Sequence, residues 1–233
     1  MERVPIQSGC EECPVRDDAI CSVLEDGDRR HLARIGIHRD FERGQTVFAA
    51  GDESIACATL ISGALKLSRC DAEGVERIVA LVHPAGFLGE LFANTREFDV
   101  TALTKSRLCL VPRKDFEAML AERPALTQAL LRRTLDSLGE SRALIDLVGR
   151  RDARARVAGL LLALARSAAS EPCGQASSFE LPLTRGEMAN LLGLTIETVS
   201  RQVSKLVADQ IIGRSGSRGI TVRDARALED MTG

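Results

Sequence analysis

Two constellations in this chain carry chemistry. The first is a group of thiols: Cys10-Glu-Glu-Cys13-Pro followed by Cys21 puts three cysteines into an N-terminal segment of little apolar content. Thiolates two residues apart can grip one metal centre, and a proline after the second favours a loop that turns backbone N–H groups toward the sulfurs. Three clustered ligands leave a fourth to be found, and an iron–sulfur cluster or a tetrahedral zinc ion suits such donors equally. The second constellation is Glu197, Ser200 and Arg201 within RGEMANLLGLTIETVSRQVSKL, Arg185 to Leu206. Residues three and four apart share a helix face. Arg can bond guanine O6 and N7, Glu can accept from cytosine N4, and Ser serves either role; the plainer reading is a solvated face with one Glu–Arg pair.

The elements that must position the second group are legible. Ala189 allows two crossing helices to approach, Gly193 supplies a positive-φ turn, Thr195 opens the second helix as its N-cap, and Val199 returns an apolar side chain to the core. This is a helix-turn-helix pattern. Ile211-Ile212-Gly213, a basic glycine-rich turn from Arg214 to Gly219, and Ile220-Thr-Val222 then read as strand, turn, strand. A wing beside a recognition helix decides the reading for duplex DNA. Its basic tip, Arg218 included, would meet phosphate, with Thr195, Thr198 and Lys205 as further DNA-binding positions.

The composition agrees. At 233 residues, 45% hydrophobic and 27% charged, the chain is of the folded, soluble class and long enough for two domains. Its longest apolar run, Val157 to Ala165, is far short of a membrane span, and no export signal opens the sequence, so a cytoplasmic location without membrane contact is expected. The net charge of −2 conceals polarity: 12 Lys/Arg face 9 Asp/Glu from Arg150 onward, against 19 and 24 before it. With no Trp, no Tyr and only seven Phe, stacking platforms for single strands are lacking. His31, His38 and His83 fall in no catalytic or metal-ligand pattern, and no phosphate-binding fingerprint is present, so no enzyme is expected.

Between the two constellations, Phe41 to Pro112 reads as short strands punctuated by Gly44, Gly51, Gly63 and Gly86, the mark of an antiparallel β-roll. From Lys114 the period becomes helical, and a long helix begins near Pro124. Its apolar positions exceed what one small barrel needs, so Leu131, Leu135, Leu138 and Ile145 are expected to meet a second copy of the chain. Residues 149–152 form a hinge, and Ser167 to Ser178 a polar loop. The expected division is 1–24 for the cysteine segment, 25–112 for the β-roll, 113–149 for the dimerisation helix region and 150–233 for the winged helix-turn-helix.

An α+β chain with this β-roll, long helix and C-terminal winged helix-turn-helix resembles the CRP/FNR family of bacterial transcription regulators, over nearly its whole length. Glu197-x-x-Ser200-Arg201 looks like the FNR-type recognition triplet. The resemblance implies a homodimer reading a palindrome of the TTGAT-N4-ATCAA type, with half-sites about 34 Å apart, and RNA polymerase as a partner. It also implies that Cys109, in Leu108-Cys-Leu-Val-Pro112, joins Cys10, Cys13 and Cys21 around an oxygen-sensing [4Fe-4S] cluster, whose loss would weaken the dimer. Cys57, Cys70 and Cys173 match no ligand position. Where the family carries an aspartate on the dimer helix, approximate alignment gives Ser141, with Asp136, Glu140 and Asp146 nearby.

Two rivals share the fold. A zinc-stabilised regulator would use the same thiols. A cyclic-nucleotide-responsive, CRP-like regulator is favoured by Phe87-Leu-Gly89-Glu90, which resembles that subfamily's ribose-contacting stretch. Against it, Arg96 is followed by Glu97 instead of Ser or Thr, and a carboxylate there repels phosphate; no cyclic nucleotide is expected.

Overall fold

Burial with a period of two organises the first half of the chain. In the computed structural model, which describes residues 10–169 and 177–232, helix α1 (Asp26–Ile35) precedes eight strands. These are β1 (Ile37–Phe41), β2 (Thr46–Phe48), β3 (Ala56–Ser62), β4 (Leu65–Cys70), β5 (Glu76–Val82), β6 (Phe87–Leu88), β7 (Asp99–Ala102) and β8 (Ser106–Pro112). They form two four-stranded antiparallel sheets, ordered β1-β8-β3-β6 and β2-β7-β4-β5. This is the expected β-roll.

Side chains alternate across a strand, so the residues that fill the space between the sheets fix which ones face outward. Leu60 on β3 and Leu108 on β8 belong to the inner core with Phe41, Leu65 and Val100. Cys57, Thr59 and Ile61, and likewise Cys109 and Val111, are therefore presented on the outer face of the first sheet. There α1, α2 (Arg113–Glu122) and the N-terminal segment cover them.

That segment, for all its low apolar content, is docked on the sheet. Val15, Ala19, Ile20 and Leu24 are buried, and two short helical turns, Cys10–Glu12 and Ile20–Val23, bracket them. Four apolar side chains at positions n, n+4, n+5 and n+9 make one seam, too sparse to register as hydrophobic composition yet sufficient to dock against Ile61, Ala85 and Phe116.

Helix α3 (Pro124–Gly149) begins at the proline, whose missing N–H is harmless in the first turn. Leu126 anchors it, while Leu131, Leu135, Leu138 and Ile145 are exposed at 58%, 57%, 44% and 71%. After the break at residues 150–152, Asp152 caps α4 (Ala153–Ser167) by accepting from the Arg154 N–H. β9 (Ser178–Glu180), α5 (Arg185–Leu192), α6 (Ile196–Ala208), β10 (Ile212–Ser215), β11 (Gly219–Val222) and α7 (Ala225–Asp230) follow. The chain divides into two compact units, Met1–Glu140 and Ser141–Gly233. Among the described residues no helix is long and apolar enough to cross a membrane.

The wing has more structure than its sequence pattern indicated. Arg214 and Ser215 pair with Ile220 and Gly219, so the turn shortens to three residues, and β9 joins the far edge of β11 in the order β10-β11-β9. β9 starts at the end of the expected polar loop, whose first residue, Ser167, ends α4; residues 170–176, Cys173 among them, lie outside the described residues.

Candidate functional site

The thiol group becomes a place in the fold. Cys10 and Cys13 come from the N-terminal segment, Cys21 from its second helical turn, and Cys109 from the outer face of β8; all four line one cavity of about 40 Å³. One water needs only about 10–15 Å³, so the space exceeds a single solvent site. Cys57 and His38 lie in the same wall, and His38 is directly paired with Cys109 across β1 and β8. Gly89 lets the end of β6 approach that wall: a Cβ there would lie 2.6 Å from the Cβ of Cys57.

Burial dominates the electrostatics. Burial, and after it the neighbouring cysteines, raises the Cys21 thiol to about 11 and the Cys109 thiol to about 12. Cys10 is raised by burial and then by Cys13, while the Arg29 guanidinium opposes the rise at both Cys10 and Cys21. The thiols are near enough to oppose one another's ionisation. A cationic metal core would reverse that penalty by binding the thiolates. Among the described residues no group of three His, Cys, Asp or Glu side chains is placed to hold a metal ion. The cysteines surround a space; they do not close on a point.

Sequence reasoning assigned nothing to two cations at this cavity, Arg16 and Arg29. Each has a buried Nε without a hydrogen-bond acceptor among the described residues. One arginine inside the cysteine segment, three residues after Cys13, and another eight residues after Cys21 carry no recognisable spacing, so only the fold reveals them.

The second constellation stands on α6. Thr195 Oγ1 accepts from the Thr198 N–H at 3.2 Å, which caps the helix as expected. Gly193 holds the preceding turn at φ +63°. Val199, Val203 and Leu206 bury the inner face, and this fixes Glu197, Ser200, Arg201 and Lys205 outward, all exposed. Arg201 Nη2 donates to Thr198 Oγ1 at 3.4 Å, and the Glu197 carboxyl is held below its ordinary value by its own backbone N–H and then by Thr195. A charged acceptor and a planar donor thus stand on one free helix face.

Nearby, Arg185 at the start of α5 is held below the ordinary arginine value by burial and by Arg214 on β10. The two guanidinium groups oppose one another's charge. Arg218 is half-buried on the wing turn.

The β-roll's Arg96 is only 7% exposed; its guanidinium donates to the Ala56 carbonyl at 2.5 Å and lies 3.5 Å from the Phe48 ring centroid. Glu90 Oε1 accepts from the Glu97 N–H at 2.8 Å. Arg96 is thus engaged within the protein, whereas Glu90 Oε2 is buried without a hydrogen-bond partner among the described residues.

With this geometry in hand, similarity to known proteins can be placed on it. A family model for the cyclic nucleotide-binding domain matches residues 38–123, and one for the Crp-like helix-turn-helix domain matches residues 155–231. The chain is 39% identical over 225 residues to the transcriptional activator protein FnrL of Cereibacter sphaeroides, covering 95% of this chain and 91% of that protein. The chain belongs to the CRP/FNR family. This CRP/FNR member is also 28% identical to the fumarate and nitrate reduction regulatory protein of Escherichia coli, over 98% of its own length and 94% of that protein's. The structure of FixK2 from Bradyrhizobium japonicum matches it with a TM-score of 0.78 at 25% identity, covering 85% of this chain and 98% of that one. The fold of this CRP/FNR protein is therefore the β-roll, helices and winged helix-turn-helix of its family.

Proposed function

We propose that this chain is an oxygen-responsive transcription regulator, an activator like FnrL, that carries a [4Fe-4S] cluster and reads a palindromic TTGAT-N4-ATCAA-like operator as a homodimer. The observation that carries the reading is the convergence of Cys10, Cys13, Cys21 and Cys109, from three separate elements, on one buried cavity. The donor set fits such a group: four soft ligands, mutually opposed when ionised, in a cavity also lined by Arg16 and Arg29, each with a buried Nε that lacks an acceptor among the described residues. A cavity wider than a single ion needs favours a polynuclear centre over zinc.

When bound, the cluster would supply an oxidant-labile electron store. The protein's share of the work is mechanical. Cys109 is rigid, set in a sheet between His38 on β1 and Thr59 on β3. Cys10, Cys13 and Cys21 sit on a segment docked by only four apolar side chains. Ligation joins the two, and losing it leaves that thin seam alone to hold the segment beside the first turns of α3. Asp18, Ser22, Gln128 and Arg132 line one groove there, so a change in the segment is felt at the root of the helix that bears Leu131, Leu135, Leu138 and Ile145.

Those four exposed apolar side chains, at steps of four, three and seven, suit a parallel seam against a second copy. Pairing would set two α6 helices for successive major grooves, where Arg201 and Glu197 address a G·C pair and Ser200 its neighbour, with Thr195, Thr198, Lys205 and Arg218 on the surrounding backbone. RNA polymerase is the expected partner, the cytoplasm the expected location, and no cyclic nucleotide the expected ligand, since Arg96 is already engaged and the carboxylate of Glu97 beside it repels phosphate. The test is an air-free absorption spectrum with iron and sulfide analysis, repeated in air. A brown protein with equal iron and sulfide that bleaches in air supports the reading; a colourless zinc protein overturns it.

A further inference from the structure

The N-terminal cavity contains more than ligands. Arg16, from the cysteine segment, and Arg29, from α1, both line it. Their outer nitrogens are used: Arg16 Nη1 donates to the Glu11 carbonyl at 3.4 Å, and Arg29 Nη2 to the Ser22 carbonyl at 2.8 Å, with Asp26 3.6 Å from Arg29 Nη1. The Nε of each is buried and lacks an acceptor among the described residues. A buried, charged N–H without an acceptor is costly, and two at one cavity call for an anion inside it.

Four neutral thiols are poor acceptors for such donors. A [4Fe-4S] core with four thiolates bears net negative charge, and its sulfurs accept N–H hydrogen bonds that tune its potential.

We propose, resting on the cluster reading above, that Arg16 and Arg29 are positioning residues of the cluster, their Nε–H groups donating to its sulfurs and their charge raising its reduction potential against oxidation by air. The two arginines are thus the means by which this chain sets how much oxygen it tolerates. Arg29 has a second consequence: its bond to Ser22 fixes the residue next to Cys21, so the same side chain holds a ligand loop and the charge balance.

The test uses the full chain loaded without air. R29Q keeps an N–H donor and removes the cation; R29K keeps the cation; R16Q leaves the Arg29–Ser22 contact intact; R30Q makes the same charge change on the exposed side of α1. Each is measured for iron and sulfide content, reduction potential, and rate of visible bleaching after air is admitted. A charge-assisted hydrogen bond carries roughly a tenfold effect, so R29Q and R16Q should bleach about that much faster with a lowered potential, while R29K and R30Q stay near wild type. If R29Q does not load, R16Q decides the matter alone. Bleaching and potential unchanged in R29Q and R16Q would overturn the inference while the cluster stands; a wild type that takes up no iron and sulfide would overturn the cluster reading itself.

Discussion

Arg123 and Asp28 are joined by a two-pronged ion pair, Nε to Oδ2 at 2.6 Å and Nη2 to Oδ1 at 2.9 Å. It ties α1, whose next residue Arg29 lines the cysteine cavity, to the corner from which α3 departs. The Asp28 carboxyl is held below its ordinary value of 3.8 by the hydrogen bond from Arg123. A depressed acid stabilises the fold above its unfolded value and loses that contribution as the pH falls through the folded one. Asp28→Asn should therefore melt below wild type at neutral pH, and the gap should close in acid below 3.8. A gap independent of pH would mean the pair contributes by shape alone.

Arg201 faces outward from α6 beside Ser200. Arg201→Ala should weaken specific operator binding by roughly 1–3 kcal/mol and relax discrimination at one base pair. Titration against operators substituted one pair at a time checks this; equal loss on every sequence would make Arg201 a phosphate contact.

Arg185 and Arg214 repel one another in the free protein. Replacing either with Ala should weaken binding to all duplexes alike and reduce the log–log salt slope by about 0.9 per lost phosphate contact. A slope unchanged in both variants would remove them from the DNA surface.

Cys57 shares the cavity wall with Cys109, but the Cys57 Sγ lies 3.6 Å from the Val111 carbonyl and burial raises that thiol to about 12. Cys57→Ala should retain iron and sulfide, whereas Cys109→Ser should lose both under air-free loading. The reverse pattern would exchange their roles.

Leu135 is 57% exposed in the middle of the α3 stripe. Leu135→Glu should leave each chain folded and shift the air-free protein from dimer to monomer in sedimentation. A persistent dimer would place the interface elsewhere.

Much of this was legible in the sequence, for identifiable reasons. Gly193, Thr195 and Val199 belong to a short-range pattern in which turn, cap and core are each fixed by local chemistry, and all three hold in the structure. β9 was hidden because its strand is short, although Phe179, Leu181 and Leu183, all buried, alternate with polar neighbours and carry the signal. The docking of the cysteine segment was underestimated because four apolar side chains scattered over ten residues depress no composition score, yet lie on one face. Arg16 and Arg29 were out of reach, since their meaning depends on a cavity assembled from β1, β3 and β8, far along the chain.

If the cysteine cavity governs the recognition helix, the two must respond together. Operator occupancy should be measured on one cluster-loaded preparation, first without air and then after air has removed the iron. Binding should be tight without air, lost on exposure and recovered when iron and sulfide are restored; equal occupancy in both states would contradict that coupling.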